Sequence, residues 1–260
     1  MEARSEPDGT ALQTDWPARE QTGVLASDEV QVWRLDLDAA EDIAEAYEAA
    51  LSADERARGA RFRDPAHQTR FVGVRGWLRH VLAGYLDQAP AKLQFRYGLQ
   101  GKPALIGENQ LDLRFNLSHS GGIALLAVGR ERELGVDVER ARSGKLRLAE
   151  RFFSDDEVRV LRALPRDEQD TAFYRCWTRK EAFVKARGEG LSLPLNRFAV
   201  SLRANDAPAL HWVAGNAGEA ARWSIHDLQA IPGYAAALVV EGQIRSLACA
   251  RWPLRAASPD

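Results

Sequence analysis

The chain has 260 residues, 45% of them hydrophobic and 28% charged, a composition that argues against disorder and predicts one large domain or two smaller ones. Its 35 basic and 37 acidic side chains give a formal net charge of -2, which argues against general nucleic-acid binding. Attraction for an anionic partner therefore has to come from local clusters of charge.

Cysteine usage and hydropathy bear on where the protein works. Cys176 and Cys249 have neither the spacing of metal ligands nor that of a disulfide framework, which favours a reducing, cytoplasmic location. Residues 1–22 lack the apolar core of a signal peptide, and no later run approaches the roughly 18 apolar residues of a membrane span. We therefore expect a soluble, unsecreted protein that binds no membrane.

The pattern along the chain predicts two halves between short tails. Residues 1–23 place Pro and Gly among charged side chains, which predicts a mobile tail. An N-terminal half at 24–130, a C-terminal half at 131–250 and a C-terminal tail at 251–260 follow. In the first half we expect a strand at 30–35, helices at 39–51 and 70–86, and strands at 93–97, 115–120 and 123–128. In the second half we expect a strand at 134–139, helices at 155–164 and 168–187, and strands at 198–202, 223–226 and 235–240.

A repeated helix-start signature suggests that the halves are related. Ser52 with Glu55 and Ser154 with Glu157 both form the capping-box pattern, in which the two side chains bind free N–H groups at a helix start. Phe71 and Phe173 recur at the same offset. Since capping boxes are common, this evidence leaves duplication open, but it suggests two similar α+β halves that meet along a cleft.

Two carboxylates alternate along the strand predicted at 134–139. The alternation puts Asp137 and Glu139 on one face, about 7 Å apart, with valines on the other. Hard oxygen ligands at that spacing suit Mg²⁺, which prefers a few carboxylates together with waters and substrate phosphates. The alternative, a solvated strand face, stays open.

The helix predicted at 168–187 carries a third candidate acid. Glu181 and Lys185 lie one turn apart on one helix face, which is typical of an exposed ion pair as well as of a site. Trp177, on the same helix, is a candidate for the core or for the site.

Two further segments carry groups that bind anions. Ser118 and His119 come at the end of a strand, before Gly121 and Gly122, where hydroxyl, imidazole and backbone N–H groups converge; phosphate binding and a solvated turn are both open. Residues 52–80 contain seven arginines against three carboxylates, an excess that fits either a phosphate or acidic-partner surface or solvated helix faces.

Taken in their order along the chain, the motifs resemble those of the Sfp-type 4'-phosphopantetheinyl transferases over roughly residues 51–200. The segments that carry the resemblance are Gly101-Lys102-Pro103, Phe115-Asn116-Leu117-Ser118-His119-Ser120, Gly135-Val136-Asp137-Val138-Glu139, Trp177-Thr178-Arg179-Lys180-Glu181-Ala182-Phe183-Val184-Lys185 and Gly188-Glu189-Gly190-Leu191.

The resemblance implies a fold and a reaction. The fold would be a pseudo-dimer of two α+β halves with the active site in the cleft between them, and the length would suit a self-sufficient monomer. The reaction would move the 4'-phosphopantetheine of coenzyme A to a serine of an acyl or peptidyl carrier protein, with Mg²⁺ or alternatively Mn²⁺, and release 3',5'-ADP. Four basic residues just after the predicted acidic strand are then candidates to meet an acidic carrier: Arg140, Arg142, Lys145 and Arg147.

By the same resemblance, each candidate residue has an expected role. The expected metal ligands are Asp137, Glu139 and Glu181, in the C-terminal half. Glu181 would also be the general base, and Lys185 would contact the phosphates and the leaving group. The expected coenzyme A contacts are Ser118 and His119 at the 3'-phosphate, Lys102 beside the nucleotide, and Arg58, Arg70 and Arg75.

One departure from the family pattern concerns those arginines. Where some relatives place a second basic residue shortly before Arg58, this chain has Glu55, and the sequence does not decide which arginine supplies the missing charge. Two other functions stay open from the residues alone: a protein that binds coenzyme A without transferring the arm, and a metal-dependent phosphoester hydrolase.

Overall fold

The structure is a computed structural model that describes residues 16–38, 40–107, 112–228 and 232–253. Residues 1–15 and 254–260, which make up most of the two predicted tails, lie outside the described residues. The described chain mixes helices and sheets, which confirms the predicted α+β class. Its helices are α1 (Ala40–Tyr47), α2 (Ala53–Gly59), α3 (Pro65–Leu86), α4 (Leu146–Phe152), α5 (Asp155–Ala163) and α6 (Arg166–Arg187).

The described strands form two larger sheets and two small hairpins. The strands are β1 (Glu29–Asp36), β2 (Phe95–Tyr97), β3 (Pro103–Leu105), β4 (Leu113–Ser120), β5 (Ile123–Arg130), β6 (Leu134–Arg140), β7 (Phe198–Val200), β8 (Leu210–Val213), β9 (Trp223–Asp227), β10 (Tyr234–Glu241) and β11 (Ser246–Arg251). The first sheet has the order β11-β1-β5-β4 and the second the order β6-β10-β9. Among the described helices, none has the length and apolar run of a bilayer span.

Alternating side chains stack these elements in layers. In the first sheet Trp33 and Leu126 pack with Trp77 of α3 in one buried cluster, whereas their strand neighbours face the second sheet in another. Val239 of the second sheet packs with Phe183 of α6 in a third cluster. The period of two along each strand thus produces a helix–sheet–sheet–helix stack.

The last strand crosses back to the first sheet. Residues 246–250 fall in the predicted C-terminal half, but β11 pairs in parallel with β1, with Val32 opposite Cys249. Parallel neighbours far apart in sequence carry no local pairing signal, so the sequence pattern does not predict this exchange.

The two sheets meet where β4 and β6, each at the edge of its sheet, lie side by side. Within the described residues no backbone ladder joins these two strands. Instead, alternate side chains of β4 accept hydrogen bonds from alternate backbone N–H groups of β6, at a constant offset of 20 residues. We call this contact the seam. Its bonds are Val136 N to Asn116 Oδ1 (2.9 Å), Val138 N to Ser118 Oγ (3.4 Å) and Arg140 N to Ser120 Oγ (3.1 Å).

Close approach of α6 to β6 depends on Gly135. A Cβ atom at this position would lie 2.1 Å from the carbonyl oxygen of Ala182 and 2.4 Å from the backbone nitrogen of Ala186. Since no side chain fits there, glycine is the residue that lets the helix lie against the strand. The helix residues Glu181 and Lys185 are thereby placed beside the acids of β6.

Both predicted capping boxes are present, at the starts of α2 and α5. Each boxed glutamate is also buried and paired with a cation on the long helix that follows. Glu55 pairs with Arg75 and Arg79, and Glu157 pairs with Lys180 at 2.8 Å. The same device therefore anchors both long helices, α3 and α6.

Several boundaries differ from the sequence prediction. Helix α3 begins at Pro65, five residues before the predicted start, because the Asp64 carboxylate accepts a hydrogen bond from Ala66 N and caps the helix there. A proline in the first helical turn is favourable, since its missing N–H has no partner there in any helix. The short elements α4, β3 and β8 are not predicted, because they have too few residues for a periodic signal.

We expect Glu157→Ala to lower the free energy of unfolding by about 3–5 kcal/mol, measured by urea denaturation. The Lys180 ammonium has 0% exposure, so loss of its carboxylate leaves a buried charge without a counterion. Glu150→Ala is the control, because its ion pair with Arg162 is largely exposed and is expected to contribute less than about 1 kcal/mol. Equal effects of the two substitutions would contradict this account.

Candidate active site

The site is built on the seam and covered by α6. Val136 and Val138 are buried between the two sheets, so the alternation of β6 turns Asp137 and Glu139 toward the helix. From α6, Glu181 and Lys185 face the same place. The predicted alternation on the strand and the one-turn spacing on the helix are both confirmed.

Asp137 is the most buried acid of the site, with 4% exposure. Its Oδ1 accepts hydrogen bonds from Ser118 Oγ (2.9 Å) and Lys185 Nζ (2.6 Å). Its Oδ2 is also buried and has no hydrogen-bond partner among the described residues. Because buried polar atoms are normally satisfied, an orphaned carboxylate oxygen indicates a place for a ligand.

Lys185 connects the helix to the seam. Its ammonium donates to Asp137 Oδ1, to Ser118 Oγ (2.8 Å) and to the backbone oxygen of Val136 (3.3 Å). All three of its donors are therefore engaged. The arrangement puts a positive charge beside the Asp137 carboxylate, which offsets part of the negative charge gathered there.

Both glutamates of the site have a raised pKa. Burial raises the pKa of Glu139, and the Asp137 charge adds to that effect, while the hydrogen bond from Ser120 acts against it. Burial also raises the pKa of Glu181, followed by the Asp137 charge, with Lys185 acting in the opposite direction. A cluster of this kind favours binding of a proton or of a cation.

These residues suit a hard cation, but their ligand geometry is not preassembled. Throughout 16–38, 40–107, 112–228 and 232–253, no three His, Cys, Asp or Glu side chains are gathered closely enough to hold a metal ion. The chemistry of the donors still fits Mg²⁺ or Mn²⁺, because Asp137, Glu139 and Glu181 present oxygen atoms alone. The unpartnered Oδ2 of Asp137 supports the same assignment.

A cavity of about 740 Å³ opens beside the cluster. Glu181 and Lys185 are among its polar lining residues, and Leu117, Phe152 and Trp177 are among its apolar ones. Trp177 therefore contributes both to the aromatic packing with Phe152 and to the cavity. No group in the described part of the chain donates a hydrogen bond to the Glu181 carboxylate, which faces this space.

The side chains of Ser118 and His119 lie in different surroundings. Ser118 is buried in the seam, where its hydroxyl is occupied by Asp137 and Lys185. His119, on the opposite strand face, remains solvent-exposed. Partial enclosure of the imidazole lowers the pKa of His119, and the charges of Lys185 and Arg70 lower it further. The structure therefore separates the two residues that the resemblance places together at one phosphate.

Lys102 is one of the residues that line the cavity. Its ammonium donates to Glu133 Oε2 (2.9 Å) and to the backbone oxygens of Leu134 (3.3 Å) and Ala186 (3.0 Å). The residue thus ties the loop before β3 to the end of α6.

The three candidate arginines occupy three different environments. Arg75 is buried, pairs with Glu55 and donates to Tyr97 Oη (2.6 Å), so it belongs to the anchor of α3. Arg58 is exposed on α2, with its guanidinium over the Phe71 ring. Arg70 is the one of the three that, in the described chain, acts electrostatically on a site residue, His119. Glu55 is thus a buried structural partner of Arg75 and Arg79.

The seam roles of Asn116 and Ser120 are not predicted from the motifs. The available signal is the match in spacing, since polar residues at 116, 118 and 120 recur opposite 136, 138 and 140. That match predicts hydrogen bonds only when the two strands are already known to be neighbours.

Comparison with known proteins identifies the class of protein that this site defines. Residues 133–239, which include the acids and Lys185, match the family profile of the 4'-phosphopantetheinyl transferase superfamily. The 4'-phosphopantetheinyl transferase HetI of Nostoc sp. is 38% identical over 235 residues, which cover 89% of this chain and 95% of the relative. The 4'-phosphopantetheinyl transferase Sfp of Bacillus subtilis is 35% identical over 154 residues, 58% of this chain and 66% of Sfp.

This chain was also matched to a crystal structure of Thermotoga maritima holo-[acyl-carrier-protein] synthase. The two are 28% identical in sequence, the match covers 43% of this chain and 63% of the synthase chain, and the TM-score is 0.35. That score is too low to support an argument about the fold. The match to HetI over nearly its whole length is sufficient: the chain belongs to the 4'-phosphopantetheinyl transferase superfamily. The family and the enzyme class expected from the motifs are confirmed.

In the absence of divalent cations, we expect Glu181→Gln to be more stable than wild type at pH 7. The folded protein binds the Glu181 proton more tightly than the unfolded chain does. The free energy of unfolding therefore falls as the pH rises from the ordinary value of 4.5 through the raised pKa. The amide does not undergo this loss.

Thermal melting in EDTA as a function of pH measures the difference between variant and wild type. The difference is expected to disappear below pH 4.5, where the unfolded carboxyl is protonated as well. Glu168→Gln, on an exposed position of the same helix, is the control and is expected to show no gain. A Glu181→Gln variant that is less stable than wild type at pH 7 would contradict a raised pKa of Glu181 in the folded protein.

Proposed function

We propose that the protein transfers the 4'-phosphopantetheine arm of coenzyme A to a serine of an acyl or peptidyl carrier protein, with Mg²⁺, and releases 3',5'-ADP. The observation that carries the proposal is that Asp137 and Glu139 lie on the face of β6 turned toward Glu181 and Lys185 of the cavity wall, with the Asp137 Oδ2 atom buried and without a hydrogen-bond partner among the described residues. The families of HetI and Sfp supply the reaction class. The cleft between two similar halves, on this proposal, is the seam region itself.

Asp137, through its unpartnered Oδ2 atom, and Glu139 and Glu181 would hold the cation. A bound Mg²⁺ would neutralise charge on the pyrophosphate and stabilise the departing phosphate oxygen. The contact of the Lys185 ammonium with Asp137 Oδ1 supports this proposal, because it is an attraction of a positive charge to the same carboxylate. Mn²⁺, which takes the same oxygen ligands, is the alternative ion.

Glu181 is our candidate for the general base. Its carboxylate lies in the cavity wall, and within the described residues no group donates a hydrogen bond to it, so its oxygen atoms are available to accept a proton. It would accept the proton of the carrier serine, directly or through a water. Lys185, one helical turn away, would neutralise the charge that develops on the 3',5'-ADP leaving group.

The remaining contacts to coenzyme A are proposed for the residues near His119. His119 with Arg70 is our candidate pair for the 3'-phosphate, because the imidazole is exposed and the guanidinium charge acts on it. Lys102, which lines the cavity, is the candidate for contact with the nucleotide. Ser118 and Arg75 are not carried into the proposal as phosphate ligands, since both are buried in other interactions.

The carrier would dock on the basic segment that runs from the last residue of β6 into α4. Arg140, Arg142 and Arg147 are exposed there, and Lys145 is half-buried. The segment leads from Glu139 to α4, whose Phe152 lines the cavity, so an acidic helix seated on it would bring its serine close to Glu181. On this proposal the chain works as a monomer, because one chain contributes every residue of the site.

The direct experiment is mass spectrometry of an apo-carrier mixed with the protein, Mg²⁺ and coenzyme A, run on a fatty-acid carrier and on a peptidyl carrier. We expect the carrier mass to rise by one phosphopantetheine group on a single serine, with release of 3',5'-ADP. Release of phosphate or phosphopantetheine without a modified carrier would indicate a hydrolase. Binding of coenzyme A without either product would indicate a binding protein.

We expect Asp137→Asn and Glu139→Gln each to lower kcat/KM for carrier modification by about 100-fold or more, since the cation contributes several kcal/mol of transition-state stabilisation. Thermal melting should show that both variants remain folded. Asp156→Asn is the matched control on exposed α5 and is expected to keep wild-type activity. Near-normal activity of both site variants at limiting Mg²⁺ would remove the metal assignment.

For His119→Ala we expect weaker use of coenzyme A by about 10- to 150-fold, which is the value of a hydrogen bond to a charged group. Use of dephospho-coenzyme A, which lacks the 3'-phosphate, should stay nearly unchanged. Steady-state kinetics with both donors measures the difference, and His67→Ala, exposed on α3, is the control. Equal losses with both donors would show that His119 acts on the fold or on the chemistry.

A further inference from the structure

The seam repeats one hydrogen-bonding unit at two successive serines of β4. At the first, Ser118 Oγ accepts a hydrogen bond from Val138 N (3.4 Å) and donates to Asp137 Oδ1 (2.9 Å). At the second, Ser120 Oγ accepts from the next alternate N–H of β6 (3.1 Å) and donates to Glu139 Oε2 (2.7 Å). Each serine hydroxyl thus accepts a hydrogen bond from the backbone N–H that follows an acid and donates a hydrogen bond to that acid's carboxylate.

The unit fixes where the proton of Ser120 points. A hydroxyl has one hydrogen to donate, and the Arg140 N–H occupies its acceptor side. The donor side is therefore directed at Glu139 Oε2. In the described chain, Ser120 is the one group that donates a hydrogen bond to Glu139, whereas Asp137 has two donors, Ser118 and Lys185.

We propose that Ser120 is a positioning residue, which holds the Glu139 carboxylate in place for the divalent cation. The inference rests on the proposed function, because it assigns Ser120 to the metal site named there. Ser120 acts through Glu139 and does not touch the reacting atoms. Groups that orient a metal ligand typically contribute about 10- to 100-fold to metal affinity or activity.

Asn116 is a member of the seam that has no acid to orient. It accepts the hydrogen bond from Val136 N, but the strand residue that precedes Val136 is Gly135, so there is no acid for it to orient. If Ser120 served the seam alone, its loss would affect folding stability and leave metal binding unchanged. The two roles therefore predict different measurements.

The test compares Ser120→Ala with Ser120→Thr, which keeps the hydroxyl and suits a strand. Ser224→Ala is the control, because Ser224 is a buried serine of β9 whose hydroxyl donates to the Gly242 backbone oxygen (2.7 Å). Binding of Mn²⁺ to each full-length variant is followed by electron paramagnetic resonance of the free ion. Carrier modification is measured in parallel as a function of Mg²⁺ concentration.

We expect Ser120→Ala to bind Mn²⁺ about 10- to 100-fold more weakly than wild type and to need proportionally more Mg²⁺ for half-maximal rate, with most of kcat recovered at saturation. Ser120→Thr should regain wild-type affinity, and Ser224→Ala should never lose it. Melting in EDTA should show a folded Ser120→Ala variant.

Three results would overturn the inference. They are wild-type Mn²⁺ affinity in Ser120→Ala, an equal loss of affinity in Ser224→Ala, and loss of the melting transition in Ser120→Ala, which would make the role structural. A wild-type protein that neither binds Mn²⁺ nor modifies a carrier overturns the proposed function as well. A wild-type protein that does both, beside an unaffected Ser120→Ala variant, overturns the positioning role alone.

Discussion

The seam between β4 and β6 is the interaction on which the rest of the site depends. Two edge strands approach each other, and side chains at every second residue of β4 satisfy the N–H groups that a ladder would otherwise satisfy. The same alternation that directs Asn116, Ser118 and Ser120 into the seam directs His119 away from it. A shift by one residue would exchange these faces and remove both the seam bonds and the orientation of the acids.

The seam alone would leave the acids facing empty space, and α6 completes the site. Contact at Gly135 brings the helix close enough for Lys185 to reach across to Asp137. The result is a group of like charges in a half-buried place, compensated by one ammonium. On the proposed function, such an arrangement lowers stability in return for a site that would bind a cation, a trade-off common at functional sites.

The sequence predicts those features that depend on local spacing. The strand alternation of Asp137 and Glu139, the helical spacing of Glu181 and Lys185 and both capping boxes belong to this group, and all are confirmed. The burial of Arg75 against Glu55 and the pairing of β11 with β1 depend on contacts between segments far apart in the chain. Periodicity carries no information about such partners. In the sequence, Glu55 therefore stands out only as a departure from the basic residue of some relatives, whereas in the fold it is the counterion of Arg75.

The most direct test of this account is a crystal structure of the protein with coenzyme A and Mn²⁺, in which anomalous scattering locates the ion. The account predicts one anomalous peak at the seam, in contact with Asp137 Oδ2 and with the carboxylates of Glu139 and Glu181, beside the pyrophosphate. A well-ordered coenzyme A with the ion held by other residues, or with no ion at the seam, would contradict it.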